Sequence, residues 1–214
     1  MPHKLAVIVT VGSPVALQSL NGANLITSAL SAAHQFSVET SLSNRLYVAT
    51  NDLPGVREAT KDLSIDFLEL SCNPNSPSAL AKSISDLEFE MVAIHDAQRP
   101  LTRSTQFHRT LEGLFGCDAV RPTMAFTETL KSVNQNSELT HTIDRTKVRR
   151  VSSPEIIRRS VIDFDGTEST WALPLSKDAR LSEVEADPDS LRINSEDEVV
   201  LLEAFMYWQQ KVVN

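Results

Sequence analysis

Met91-Val-Ala-Ile-His95-Asp-Ala-Gln-Arg-Pro-Leu101 is the stretch on which the reading of this sequence turns. Met91 to His95 form an apolar run too short for a helix and too continuous for a strand with one wet face, which points to a strand buried in a parallel sheet. The run stops at a carboxylate, Asp96, and Pro100, just after Arg99, ends any regular continuation. In an open parallel sheet ligands collect at the carboxyl ends of the strands, so His95 to Pro100 falls where a site belongs.

The same kind of run recurs at Leu5 to Thr10, Leu46 to Thr50, Asp66 to Leu70 and Ala119 to Met124. Between them, Ala23 to Ala33, Pro54 to Leu63, Ser76 to Leu87 and Thr105 to Phe115 carry apolar residues at helical spacing. This alternation predicts an α/β fold whose mostly parallel sheet is covered on both faces through right-handed crossovers. From Thr127 the pattern changes. Thr129 to Val133 and Leu139 to Ile143 flank the polar Asn134-Gln-Asn-Ser137, which predicts a β-hairpin projecting as an arm. Asp163-Phe-Asp-Gly166 and Asp187-Pro-Asp189 read as turns, and Ser195-Glu-Asp-Glu198 is a capping box opening a helix from Glu196 to Lys211. Phe205, Tyr207 and Trp208 on that helix read as core and interface residues.

The 214 residues suit one domain over 1–214 with its arm at about 130–155, and an apolar fraction of 41% supports a real core. The formal charge of -8 argues against nonspecific attraction to nucleic acid or anionic lipid. Positive charge is concentrated at Arg145, Lys147, Arg149, Arg150, Arg158 and Arg159, which read as a solvated helix face and arm edge beside Asp144, Glu155 and Asp163. Cys72 and Cys117 lack CxxC spacing, which fits a reducing compartment and gives no zinc signature. With no signal-peptide core and no apolar stretch long enough to span a bilayer, a cytoplasmic protein without a membrane partner is expected. Asp96 has two readings from its position alone: a ligand for Mg²⁺, or a cap on the following turn with Arg99 paired to it or to a neighbouring acid. His95 is expected to be packed or hydrogen-bonded rather than to act as a base.

His95-Asp-Ala-Gln-Arg-Pro-Leu101 resembles the HDAARPL signature of the 2-C-methyl-D-erythritol 4-phosphate cytidylyltransferases, within the glycosyltransferase-A-like nucleotidyltransferase superfamily. Further matches follow in order. Thr127-Glu-Thr-Leu-Lys-Ser132 resembles the family's D-T-(I/M)-K segment and His141-Thr-Ile-Asp-Arg145 its HTVDR arm segment. Val151-Ser-Ser-Pro-Glu155 sits where the family has Q-T-P-Q, and Leu191-Arg-Ile-Asn-Ser195 where it has N-I-K-(I/V)-T, followed by Glu196-Asp197 for P-E-D. The resemblance implies a three-layer Rossmann-like fold, a homodimer made through the arm, and transfer of a cytidylyl group from CTP to methylerythritol phosphate in isoprenoid biosynthesis, with pyrophosphate leaving. It implies that Asp96 binds Mg²⁺ and, with Ala97, substrate hydroxyls, while Arg99 supports that loop. Thr129 and Arg145 would hold the sugar phosphate, Arg145 acting catalytically across the dimer interface. Ser153 would stand in for a threonine and Arg192 for a catalytic lysine, leaving Gly12 and Ser13 for the nucleotide.

The first loop departs from the family's P-A-A-G-x-G-x-R and P-K-Q pattern. Here Thr10-Val-Gly-Ser13 runs directly into Pro14-Val15-Ala16, so the second glycine and the arginine are deleted and Val15 falls where the lysine belongs. The cytosine-reading segment is replaced by Cys72-Asn-Pro-Asn-Ser-Pro-Ser-Ala79, and T-D-(D/E)-A survives only as Ser176-Lys-Asp-Ala179. Arg192 keeps a charge, but a planar fork does not replace a point ammonium. Each lost donor costs roughly 3 to 4 kcal/mol, so losing the loop's cations and amides together costs at least about 10⁴-fold in rate. The expected protein is therefore cytidylyltransferase-like and catalytically impaired; the alternatives are an active enzyme, a noncatalytic partner or regulatory subunit, or an unrelated small-molecule site on the same fold.

Overall fold

Alternate residues of one strand serve two different cores. In β1 (Lys4–Val11), Leu5, Val7, Val9 and Val11 pack on one side of the sheet and Ala6 and Ile8 on the other, so a strand covered on both faces has to be apolar throughout. The computed structural model describes residues 4–20, 23–167 and 169–212, and the Phe205 side chain lies outside what is described.

After β1 come a 3-10 turn (Pro14–Leu17), two short strands β2 (Ser19–Leu20) and β3 (Ala23–Asn24), α1 (Leu25–Glu39), β4 (Ser43–Thr50), α2 (Leu53–Thr60), β5 (Leu68–Ser71), α3 (Pro77–Ser83) and β6 (Met91–Asp96). The second half holds α4 (Ser104–Glu112), β7 (Ala119–Ala125), β8 (Leu130–Val133), β9 (Leu139–Ile143), β10 (Arg149–Val151), β11 (Glu155–Arg158), β12 (Leu181–Glu185) and α5 (Glu196–Val212). The main sheet runs β10-β7-β11-β6-β1-β4-β5, with β12 also paired to β7. Strands β5, β4, β1 and β6 are parallel neighbours, whereas β11 lies antiparallel between β6 and β7. Phe36 of α1 and Phe107 of α4 meet at 5.2 Å on one face, and Val56 of α2 joins the same core. Leu80 and Ala81 of α3 cover the other face together with Ile162 and Leu173 from irregular chain. This is the expected three-layer α/β arrangement, with the third layer only partly helical.

The strands β10, β11 and β12 are not evident from hydropathy, because each is short and mixes apolar with charged residues. Their presence corrects the reading of the basic stretch as a helix face. Arg158 closes β11 and donates to the Cys117 carbonyl at 3.0 Å, while Arg159 lies over the Phe89 and Phe164 rings and donates to the carbonyls of Leu87 and Ser85 at 2.8 and 2.6 Å. The hairpin β8–β9 forms a separate two-stranded sheet, turned by Ser137 at φ 63 and by Asn134 Oδ1, which accepts from the amides of Asn136 and Glu138. The chain rejoins the main sheet at Arg149, where β10 pairs with β7. At the last helix Ser195 Oγ accepts from Glu198 N, and the Glu198 carboxylate returns to the amide of Asn194, one residue before the cap. Val199, Leu202 and Met206 of α5 pack on Leu25, Ile193 and Leu101, while Tyr207 and Trp208 are each 59% exposed and stand outside that core. Among the described residues no helix is long and apolar enough to cross a membrane.

Phe36 is fully buried and joins α1 to α4, so its truncation leaves a cavity that two packed helices cannot close. Phe36→Ala is expected to cost about 3 to 5 kcal/mol in urea unfolding, with an unchanged m-value.

Candidate functional site

The carboxyl ends of β1 and β6 lie side by side, Thr10 pairing with Asp96 and the Ala97 amide donating to the Thr10 carbonyl at 3.0 Å. Strand β11 runs the opposite way, so the residues that enter it arrive at the same end of the sheet. Ser153 thereby reaches Asp96: its Oγ accepts from the Asp96 amide at 3.2 Å and lies 2.8 Å from His95 Nδ1. His95 is buried against Phe107, and desolvation pushes its pKa down to about 4, partly opposed by the charge of Asp96 and reinforced by Arg99. The imidazole is thus neutral at pH 7 and faces the core.

The Asp96 carboxylate is engaged on both oxygens. Oδ1 accepts from the Gln98 amide at 3.0 Å, the turn-capping bond, and Oδ2 accepts from Arg192 Nε at 2.7 Å. Arg192 also donates to Gln98 Oε1 at 2.6 Å and to Asn194 Oδ1 at 2.5 Å. Arg99 does not pair with Asp96; its guanidinium donates to the carbonyls of Ser190 and Val151, each at 2.8 Å, tying the segment before α5 to β10. Burial lowers the Arg99 pKa and the nearby Asp96 charge raises it.

On the β1 side, Ser13 Oγ accepts from Val15 N at 3.3 Å and so caps the 3-10 turn. The Asn75 amide closes over Gly12, donating to its carbonyl at 2.6 Å, with Oδ1 only 2.3 Å from where a Cβ would stand. Only glycine permits that approach. No lysine or arginine occurs between Lys4 and Arg45.

Residues 8–205 match the family described as 2-C-methyl-D-erythritol 4-phosphate cytidylyltransferase. The chain belongs to that family. The Rhodococcus jostii 2-C-methyl-D-erythritol 4-phosphate cytidylyltransferase is 29% identical over 124 residues, 55% of each chain, so the chain spans about half the length of such curated relatives. The bifunctional enzyme IspD/IspF of Rhodopseudomonas palustris is 33% identical over 73 residues, 34% of this chain and 18% of that one. The fold matches the 4-diphosphocytidyl-2C-methyl-D-erythritol synthase of Anaerococcus prevotii with a TM-score of 0.73 at 14% identity, covering 96% of this chain and 99% of the other. For the Thermus thermophilus 2-C-methyl-D-erythritol 4-phosphate cytidylyltransferase the TM-score is 0.68 at 17% identity, covering 94% and 98%.

Of the residues singled out by resemblance to this family, the structure gathers Asp96, Ala97, Arg99, Ser153 and Arg192 at one end of β6, with Gly12 and Ser13 beyond the end of β1. Arg145 and Thr129 stand apart on the arm. Arg145 donates to the Thr127 carbonyl at 2.7 Å and, with Ala125, Phe126, Thr146 and Arg149, lines an open pocket of ≈ 530 Å³. Sequence reasoning missed Gln98 and Asn75, although Gln98 is the one letter at which the signature segment departs from HDAARPL. For Mg²⁺ the donor set is poor: Asp96 is tied to Arg192 and Gln98, and among the described residues no three His, Cys, Asp or Glu side chains are grouped to hold a metal ion.

Because His95 is held neutral, the unfolded chain binds more protons than the folded one between pH 6.5 and about 4, and stability falls as pH drops through that window. His95→Gln is expected to remove about 2 kcal/mol of the loss between pH 7 and pH 4.5 in urea unfolding. Equal losses in both proteins would show that His95 is not the group responsible.

Proposed function

We propose that this protein is a cytidylyltransferase-like protein with an impaired grip on CTP that retains the sugar-phosphate half of the site. The observation that carries this reading is the loop after β1. Its serine hydroxyl is spent on its own 3-10 turn, its glycine carbonyl is held by Asn75, and the chain offers no cationic side chain from Val11 to Asn44. A triphosphate carries several negative charges, and amides and cations aimed at them are what such loops supply. Asp96 then faces the sugar, Ala97, Arg99 and Ser153 hold the substrate-binding loop around it, and Arg192 stands in the place of a catalytic lysine. Arg145 and Thr129, at the foot of the arm, take the sugar phosphate across a homodimer interface; that β8 and β9 form a sheet of their own, apart from the one carrying Asp96, supports this reading.

The reaction of the family, attack of the methylerythritol phosphate oxygen on the α-phosphate of CTP, asks the protein chiefly for positioning and charge stabilisation. Calorimetric titration is expected to show binding of methylerythritol phosphate and weak or no binding of CTP. Pyrophosphate release from CTP is expected to run at least about 10⁴-fold below ordinary enzymatic turnover. Turnover near 1 to 10³ s⁻¹, roughly the normal range, would sink the reading.

The dimer has its own check. Light scattering is expected to return twice the chain mass, and Arg145→Ala is expected to weaken methylerythritol phosphate binding roughly tenfold or more without changing that mass. A monomer that binds the sugar phosphate as tightly as before would remove the arm from the site.

A further inference from the structure

We infer that Gln98 is a positioning residue that fixes Arg192 across Asp96, and that Arg192 thereby serves as the built-in cation of this site in the place of a divalent metal. Gln98 is 1% exposed, and every polar atom of its side chain is engaged: Nε2 donates to the Ile193 carbonyl at 2.5 Å and Oε1 accepts from Arg192 Nη2 at 2.6 Å. Its own amide donates to Asp96 Oδ1. One residue therefore holds both members of the Asp96–Arg192 pair, and the carboxamide cannot rotate without stranding a buried polar group. An alanine at this position, the letter of the HDAARPL signature, offers Arg192 no acceptor.

The charge arithmetic follows from the geometry. Arg192 Nε sits 2.7 Å from Asp96 Oδ2, so a divalent ion bound at that oxygen would lie within about 5 Å of a fixed positive charge and be repelled. Three hydrogen bonds occupy the guanidinium, to Asp96, Gln98 and Asn194, out of five N–H groups. The remaining donors are directed to no partner given by this cluster, and the Arg192 side chain is 39% exposed, so they can meet an anionic oxygen of a ligand. Asp96 supplies orientation and Arg192 the charge. The inference rests on the reading of this end of β6 as ligand-facing, and its test uses metal alone, so the two fail separately.

Paramagnetic broadening by Mn²⁺, added without nucleotide, reads the carboxylate directly. In the unmodified protein the amides of Ala97 and Gln98 are expected to broaden no more than those beside exposed surface carboxylates. In Arg192→Met, which frees Asp96, the same amides are expected to broaden at least about tenfold more, and the double variant Asp96→Asn/Arg192→Met to lose the effect. Selective broadening at Ala97 in the unmodified protein, equal to that in Arg192→Met, would overturn the inference. The role of Gln98 is read from the Arg192 Nε–H resonance. Gln98→Met is expected to speed its exchange with water about tenfold or more while the backbone amides of Ala97 and Ser153 keep their positions. Unchanged Nε–H exchange would show that Gln98 does not position Arg192. Gln98→Asn, which keeps the amide but falls short of Arg192, provides the same readout if the methionine variant does not fold.

Discussion

The arrangement at the end of β6 depends on β11 lying antiparallel between β6 and β7. A strand in that place must pair its backbone on both sides, and Glu155 to Arg158 do so against β6 while Ile156 and Ile157 also pair with β7. Running against its neighbours, β11 delivers the residues before it to the carboxyl end of the sheet. Ser153 then meets His95 and the Asp96 amide, and the Val151 carbonyl meets Arg99. Moving β11 to the sheet edge would leave Asp96 with β1 on one side and nothing on the other.

The cost of that wedge is a buried carboxyl. Glu155 opens β11 and is almost wholly covered, and desolvation raises its pKa above the ordinary carboxylate value, partly opposed by Arg121 at 3.4 Å. Arg121 in turn lies over the Trp171 ring at 3.6 Å, and the Ala172 amide donates to the Glu155 carboxylate at 2.7 Å. The irregular segment that replaces a helix in the third layer is thus held by charge as well as by Leu173.

The arginines nearest the end of β6 and along β11 spend their charge inside the protein. Arg99, Arg158 and Arg159 spend their guanidinium groups on backbone carbonyls, and Arg192 spends its Nε on Asp96. The bonds of Arg99, Arg158 and Arg159 satisfy backbone carbonyls, and that of Arg192 a carboxylate. The consequence for function is that the carboxyl ends of β1 and β6 offer an anion little positive charge beyond Arg192, while the foot of the arm, with Arg145 and Arg149 around its pocket, offers more.

The sequence by itself determined the alternating core elements and the hairpin. Runs such as Leu5 to Thr10 and Met91 to His95 can be buried on both faces only in a covered sheet, and the Asn134 to Ser137 stretch can only turn. It also determined the family, through segments in a fixed order, and the absence of cations from the first loop. Only the tertiary structure decided which of these residues meet. Glu155-Ile-Ile-Arg158 is too short and too charged at its ends to announce a central strand, so the wall that brings Ser153 to Asp96 was hidden. The pairings of Arg192 with Asp96 and Gln98, and of Arg99 with Ser190 and Val151, were hidden for the same reason: they span 52 to 96 residues, and hydrogen bonds across such distances leave no periodicity in sequence to read.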